Sequence, residues 1–171
     1  MKAVVVYESM WGNTRQVAEA VADGLRESAE VAVHPVAEAA PGELESVDLL
    51  VVGGPTHAHG MASRWSHKAA LEDKKHPEAH LEPGVEGPAL RDWFRDLGEA
   101  ADARGAAFDT RFDKPKALTG SAARGIAHRL RRHGYTLVGE ESFIVEDSAG
   151  PLREGELERA RAWGKELVQA R

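Results

Sequence analysis

The chain predicts a three-layer α/β fold, a doubly wound five-stranded parallel sheet with helices on both faces. Three observations carry that expectation. Strand-like and helix-like patterns alternate from one end to the other. The strands are continuous apolar runs, as expected of strands buried on both faces, and do not alternate apolar and polar residues. The first strand also passes through a short polar turn directly into a helix, the unit from which such sheets are wound.

Lys2 to Tyr7 is the first strand, almost wholly apolar. Thr14 to Glu27 follows as a helix, with Val17, Val21 and Leu25 at helical spacing and Ala18 and Ala22 beside them. A short second strand lies near Glu30 to Val36, broken by Pro41 and Gly42. Leu49 to Val52 is the third strand, ending in Gly53-Gly54-Pro55. The pattern then loosens. A helix fits about Ala62 to Lys74, but the Pro and Gly punctuation through Pro88 marks a surface excursion over about 64–87. It reads as a polar flap with one apolar anchor, Trp65, and few contacts to a bound ligand are expected from it.

Helix resumes over Ala89 to Glu99, where Leu90, Phe94 and Leu97 form the inner face. Ala106 to Phe108 is the fourth strand, and Ser121 to His133 a helix closed by Gly134. Tyr135 to Glu146 is the last strand, with an irregularity expected near Glu140 and Glu141. Leu157, Ala160, Trp163 and Leu167 face inward on the closing helix. With no repeat, linker or low-complexity tract, residues 1–171 read as a single domain.

Composition narrows the function. The 171 residues are 42% hydrophobic and 29% charged, ordinary for a folded domain. The absence of cysteine excludes disulfides, thiol catalysis and thiolate zinc sites. A net charge of −6 opposes general nucleic-acid binding. One local exception is the basic cluster Arg124, Arg129, Arg131, Arg132 and His133, which reads as a solvated helix face or as a docking patch for an acidic partner. No apolar run approaches the roughly 20 residues of a membrane helix. No signal peptide is apparent, so membrane insertion is not expected and the expected location is cytoplasmic.

The turn Ser9-Met10-Trp11-Gly12-Asn13-Thr14 is the strongest functional signal. It directs backbone N–H groups, hydroxyls and the positive end of a helix dipole at one spot, which suits a phosphate monoester. It lacks G-x-G-x-x-G and G-x-x-x-x-G-K-[ST], so a Rossmann dinucleotide site and P-loop hydrolysis are not expected. In an open parallel sheet the ligand lies beyond the carboxyl ends of the strands. Two further loops occupy such ends, one from Pro55 to Met61 and one beginning Asp109-Thr110-Arg111-Phe112. No metal site is expected. His57 and His59 alternate in direction, and Pro77 separates His76 from His80.

Tyr7 to Thr14 resembles the phosphate loop of flavodoxin-like proteins, whose usual form is S/T-x-T-G-x-T. Val51-Val52-Gly53-Gly54-Pro55-Thr56 is similar to the start of their second flavin loop, and Phe108 to Arg111 sits where their third belongs. The resemblance implies the strand order 2-1-3-4-5 and bound FMN. It assigns Ser9, Gly12, Asn13 and Thr14, with the backbone of Met10 and Trp11, to the phosphate. Pro55, Thr56, His57, Ala58, His59 and Gly60 would border the flavin ring, and Asp109, Thr110, Arg111 and Phe112 would close its other side. Trp11 stands where many members have Thr, and the second loop lacks a large aromatic. The implied function is electron transfer with redox partner proteins, a reductase and an acceptor, and with no catalytic residue. The alternatives are an NAD(P)H-dependent quinone or flavin reductase on the same fold, in which His57 or His59 would give a proton to a quinone, and a flavin-free interaction module.

Overall fold

The computed structural model describes residues 1–170 except 45, 58, 59, 62–67, 69–71, 73–79, 84 and 86. In chain order its elements are β1 (Lys2–Tyr7), α1 (Asn13–Leu25), β2 (Glu30–Pro35), a short 3-10 turn (Pro41–Leu44), β3 (Leu49–His57) and β4 (Gly60–Met61). They continue as α2 (Leu90–Asp96), β5 (Arg104–Arg111), α3 (Lys116–Thr119), α4 (Ala122–Arg132), β6 (Thr136–Ile144) and α5 (Glu156–Gln169). The sheet order is β2-β1-β3-β5-β6, and all four neighbouring pairs are parallel. This is the expected 2-1-3-4-5 order once β4 is set aside. That two-residue strand pairs antiparallel with the end of β3.

The strands form where apolar runs can be covered twice. Val4, Val6, Leu50 and Val52 pack toward α2 and α4, against Trp93, Phe94, Ile126 and Leu130. Val5, Val51, Phe108 and Phe143 pack toward α1 and α5, against Val17, Val21, Leu25, Trp163 and Leu167. Alternation along each strand therefore serves two cores, so neither face shows a polar stripe.

α1 and α5 touch backbone to backbone. A Cβ at Gly24 would lie 2.1 Å from the Arg161 carbonyl oxygen, and one at Gly164 would lie 2.2 Å from that of Val21. Only glycine permits this approach, and the close contact fixes where the N-terminus of α1 points. Around it Phe108, Phe143 and Trp163 meet edge to face, with ring centroids 6.1–6.3 Å apart.

The structure moves one expected feature and adds two short elements. The irregularity in β6 falls at Val138, where the register with β5 slips between Gly105 and Ala106, and not at Glu140–Glu141. β4 and α3 were too short to show a period. The helix expected over Ala62 to Lys74 lies almost wholly outside the described residues. Among those described, Glu72 N donates to the Lys68 carbonyl at 3.1 Å, one turn of helical geometry.

Candidate functional site

Four loops converge at the carboxyl edge of the sheet. They enclose a cavity of about 60 Å3 lined by Ser9, Met10, Trp11, Asn13 and Thr14 from the first, and Pro55, Thr56 and His57 from the second. Thr110, Arg111 and Phe112 come from the third, and Val145 and Ser148 from the turn after β6. Twelve of the sixteen residues expected at the site bear on this cavity directly or frame it. Eleven of them line it, and Gly12 frames it by starting α1.

The first loop is built by Gly12. Its φ of 89° is left-handed, a conformation that costs a side-chain-bearing residue, and it turns the chain sharply into α1. Gly12 N donates to Ser9 Oγ at 3.1 Å, which fixes the loop from within. No side chain caps α1 and its first turn holds no acidic residue. The first-turn N–H groups are thus free of a side-chain cap, and the nearby carboxylate, Glu82, whose Oε1 would lie 2.9 Å from a Cβ at Gly12, is paired with Arg15. Asn13 and Thr14 are buried, and the Thr14 and Thr110 hydroxyls lie 2.8 Å apart, joining the first loop to the third.

The third loop is less simple than the sequence suggested. Asp109 is completely buried, and its Oδ2 accepts from Thr56 Oγ1 at 2.9 Å, Ser121 Oγ at 2.7 Å and Ala123 N at 2.9 Å. Thr56 Oγ1 in turn accepts from Ala122 N at 2.8 Å. Together they cap α4, where a carboxylate meets the positive end of the dipole. Asp109 therefore does not line the cavity; it holds the second loop and α4 in place from behind. Arg111 Nη2 donates to the Lys114 carbonyl at 2.6 Å and to Thr119 Oγ1 at 2.5 Å. Its Nε–H is buried without a hydrogen-bond partner in the described structure. An unmet buried donor costs about 1–3 kcal/mol, so an acceptor here would stabilise the wall. Phe112 is the exposed aromatic side chain among the described residues, at 39%.

Gly60 pairs with His57 across the β3–β4 turn and lies outside the cavity wall. Ala58 and His59 fall outside the described residues. Val145 and Ser148 are not among the expected site residues, yet they complete the wall. A Cβ at Gly150 would lie 2.5 Å from Asn13 Oδ1, which shows how tightly this fourth loop meets the first. The rule that places ligands at strand carboxyl ends applies to β6 as well, and was the available signal.

The excursion also touches the site. Leu81 and Val85 pack on Met10 and Trp11. Glu82 N donates to the Met10 carbonyl at 2.9 Å. Its carboxylate pairs with Arg15 through two bonds of 2.9 and 3.2 Å, which pushes the Arg15 guanidinium pKa up. Leu81, Glu82 and Val85 thus brace the first loop. Trp11 divides its side chain between this packing and the cavity wall.

A second cleft, about 290 Å3, lies on the other side of β1 and includes Tyr7, Glu8, Glu38 and Glu82 in its lining. Burial first, and then Glu82, push the Tyr7 phenol up from its usual pKa. Three carboxylates make this cleft hostile to a phosphate dianion. Among the described residues, the smaller cavity has no acidic lining residue and one arginine. Chemistry therefore selects the smaller one.

These features define an α/β protein with a cation-poor anion seat at the first strand–helix turn and a partly aromatic bay beside it. The flavodoxin family model matches residues 5–90, and the chain belongs to the flavodoxin family. A flavodoxin from Aquifex aeolicus (strain VF5) is 39% identical over 74 residues, 42% of this chain. That match spans only 39% of the relative's own length. Among solved structures, a Streptococcus pneumoniae TIGR4 flavodoxin has a TM-score of 0.68 at 17% identity, with 99% of both chains covered. Oxidised flavodoxin 2 from Bacillus cereus has a TM-score of 0.67 at 19% identity, again with 99% of both chains covered. At these identities the two structures speak for the fold alone. Membership of the family implies a flavin cofactor.

Proposed function

We propose that the chain binds FMN at the four-loop cavity and carries electrons between a reductase and an acceptor protein. The observation that carries this reading is the acid-free cavity at the uncapped start of α1, in a chain of net charge −6. Ser9, Gly12, Asn13 and Thr14, with the main chain of Met10 and Trp11, hold the phosphate. Charge-assisted hydrogen bonds contribute roughly 1.5–3 kcal/mol each, so several suffice without a lysine. The enclosed 60 Å3 is far below the roughly 300–1,000 Å3 of whole-ligand pockets. It suits the phosphate end, and leaves the ring to the mouth.

Pro55, Thr56, His57, Ala58, His59 and Gly60 border the ring on one side, and Thr110, Arg111 and Phe112 on the other. Asp109 positions Thr56 and the start of α4. When bound, the flavin supplies the redox chemistry, and the protein supplies its seat, its stacking partner and its surrounding charge. Among the described residues no helix is long and apolar enough to cross a membrane, which is compatible with a cytoplasmic carrier.

The visible spectrum of the purified chain, before and after adding FMN, tests this reading. A flavin band that shifts on binding and bleaches only when a partner reductase is supplied fits the carrier. Bleaching by NADPH alone, followed by turnover of a quinone, would instead identify a reductase. A chain that neither carries flavin nor takes it up is an interaction module.

A further inference from the structure

Between α2 and α4 runs an open groove of about 670 Å3. Arg91 and Arg95 line it from α2, and Arg129 and Arg132 from α4. His133 stacks on Phe94 with ring centroids 6.1 Å apart, and the Arg129 guanidinium lies 6.0 Å from the centroid of the same ring. Among the described residues, Glu99 is the one carboxylate in the lining. The groove reverses the sign of a chain that carries 28 acidic against 22 basic residues.

Helix dipoles account for part of this. Arg95, Arg129 and Arg132 sit in last turns, where a cation meets the negative end. Arg91, in the first turn of α2, opposes the dipole and is held by donating from Nε and Nη2 to the Met61 carbonyl at 3.3 and 3.0 Å. Dipoles do not account for four arginines around one cavity. Burial, and then Arg91 and Arg132, push the Arg129 guanidinium down from its usual pKa. Arg95 pairs with Asp92 at 2.7 Å but keeps 73% of its side chain exposed.

We propose that this groove is a docking site for an extended acidic segment of a partner protein. Its cations come from two helices, Arg91 and Arg95 on α2 and Arg129 and Arg132 on α4. Four residues of helix separate Arg91 from Arg95, a rise of about 6 Å. An extended chain presents side chains on one face about every 6–7 Å, which matches that spacing. A compact phosphate would want converging N–H donors, whereas α4 turns its carbonyl end toward the groove. Arginine forks suit planar carboxylates, and the groove contains no lysine. This inference is independent of the flavin reading, since none of the cavity-lining loop residues lines the groove.

The test uses the full chain and a fluorescein-labelled decaglutamate peptide, followed by anisotropy. Binding is expected at low salt, weakening about tenfold or more between about 20 and 200 mM. Arg129→Gln with Arg132→Gln should weaken it about tenfold or more. Arg124→Gln with Arg131→Gln, which removes equal charge from the same helix outside the groove, should change it less than about threefold. Arg132→Glu, at an exposed position, gives the same direction with little risk to folding. Equal losses in the two double variants would overturn the proposal, as would no binding at low salt. Displacement of the peptide by pyrophosphate at lower concentration than by unlabelled peptide would also overturn it, in favour of a phosphate site.

Discussion

The two helical layers of this sheet differ sharply in how they close. On the α1–α5 side the backbones approach until no methyl group fits, at 2.1 and 2.2 Å from the neighbouring carbonyls. Three aromatic rings interlock beneath them. On the α2–α4 side the helices part enough to leave a 670 Å3 groove rimmed by arginine. There a Cβ at Gly98 would meet nothing within 4 Å. The closed layer fixes α1, and with it the N–H groups of the anion seat. The open layer anchors the start of α4 through Asp109 and its end through the His133 carbonyl, which accepts from Ala100 N at 2.7 Å. Rigidity is concentrated where a ligand must be oriented.

Phenylalanine removal probes that contrast most strongly. Phe108→Ala should cost about 3–5 kcal/mol in denaturant unfolding, because Phe143 and Trp163 are locked around a void. Phe94→Ala should fall at or below the low end of that range, since its void opens to the groove and admits water. Equal costs would mean that the open layer is as tightly packed as the closed one.

Adding one methyl asks the same question in reverse. Gly164→Ala should destabilise by about 1–3 kcal/mol even though alanine is the better helix former, because the clash is with backbone. Gly98→Ala should change stability by no more than about 0.5 kcal/mol. A harmless Gly164→Ala would show that α1 and α5 can separate without strain.

Asp109→Ala removes the acceptor that Thr56, Ser121 and Ala123 share, and should cost about 1–3 kcal/mol. Hydrogen exchange should rise first at the start of α4. If exchange there is unchanged and only flavin affinity falls, Asp109 belongs to the ligand and not to the cap.

What the sequence made legible follows the same division. The β1–loop–α1 unit is local, so Ser9, Gly12, Asn13 and Thr14 could be placed from their order alone. The closing strand and helix were visible from apolar runs and helical spacing. Asp109 was not, because an acidic residue at a strand end reads alike whether it meets a ligand or a helix start. Leu81 and Val85 sit four apart in a stretch without sustained period, so nothing marked them as packing on Met10. The arginines of α4 showed as a basic helix face, but only the fold brings Arg91 and Arg95 opposite them.

The phosphate seat is the central claim, and a paired titration tests it most directly. Ser9→Ala with Thr14→Val removes two hydroxyls from the first loop, including the Ser9 Oγ that accepts from Gly12 N. FMN should lose about 2–4 kcal/mol of binding, counting two charge-assisted bonds. Riboflavin, which lacks the phosphate, should bind the variant and the parent chain alike. Equal losses for both ligands would contradict the assignment and move the phosphate elsewhere.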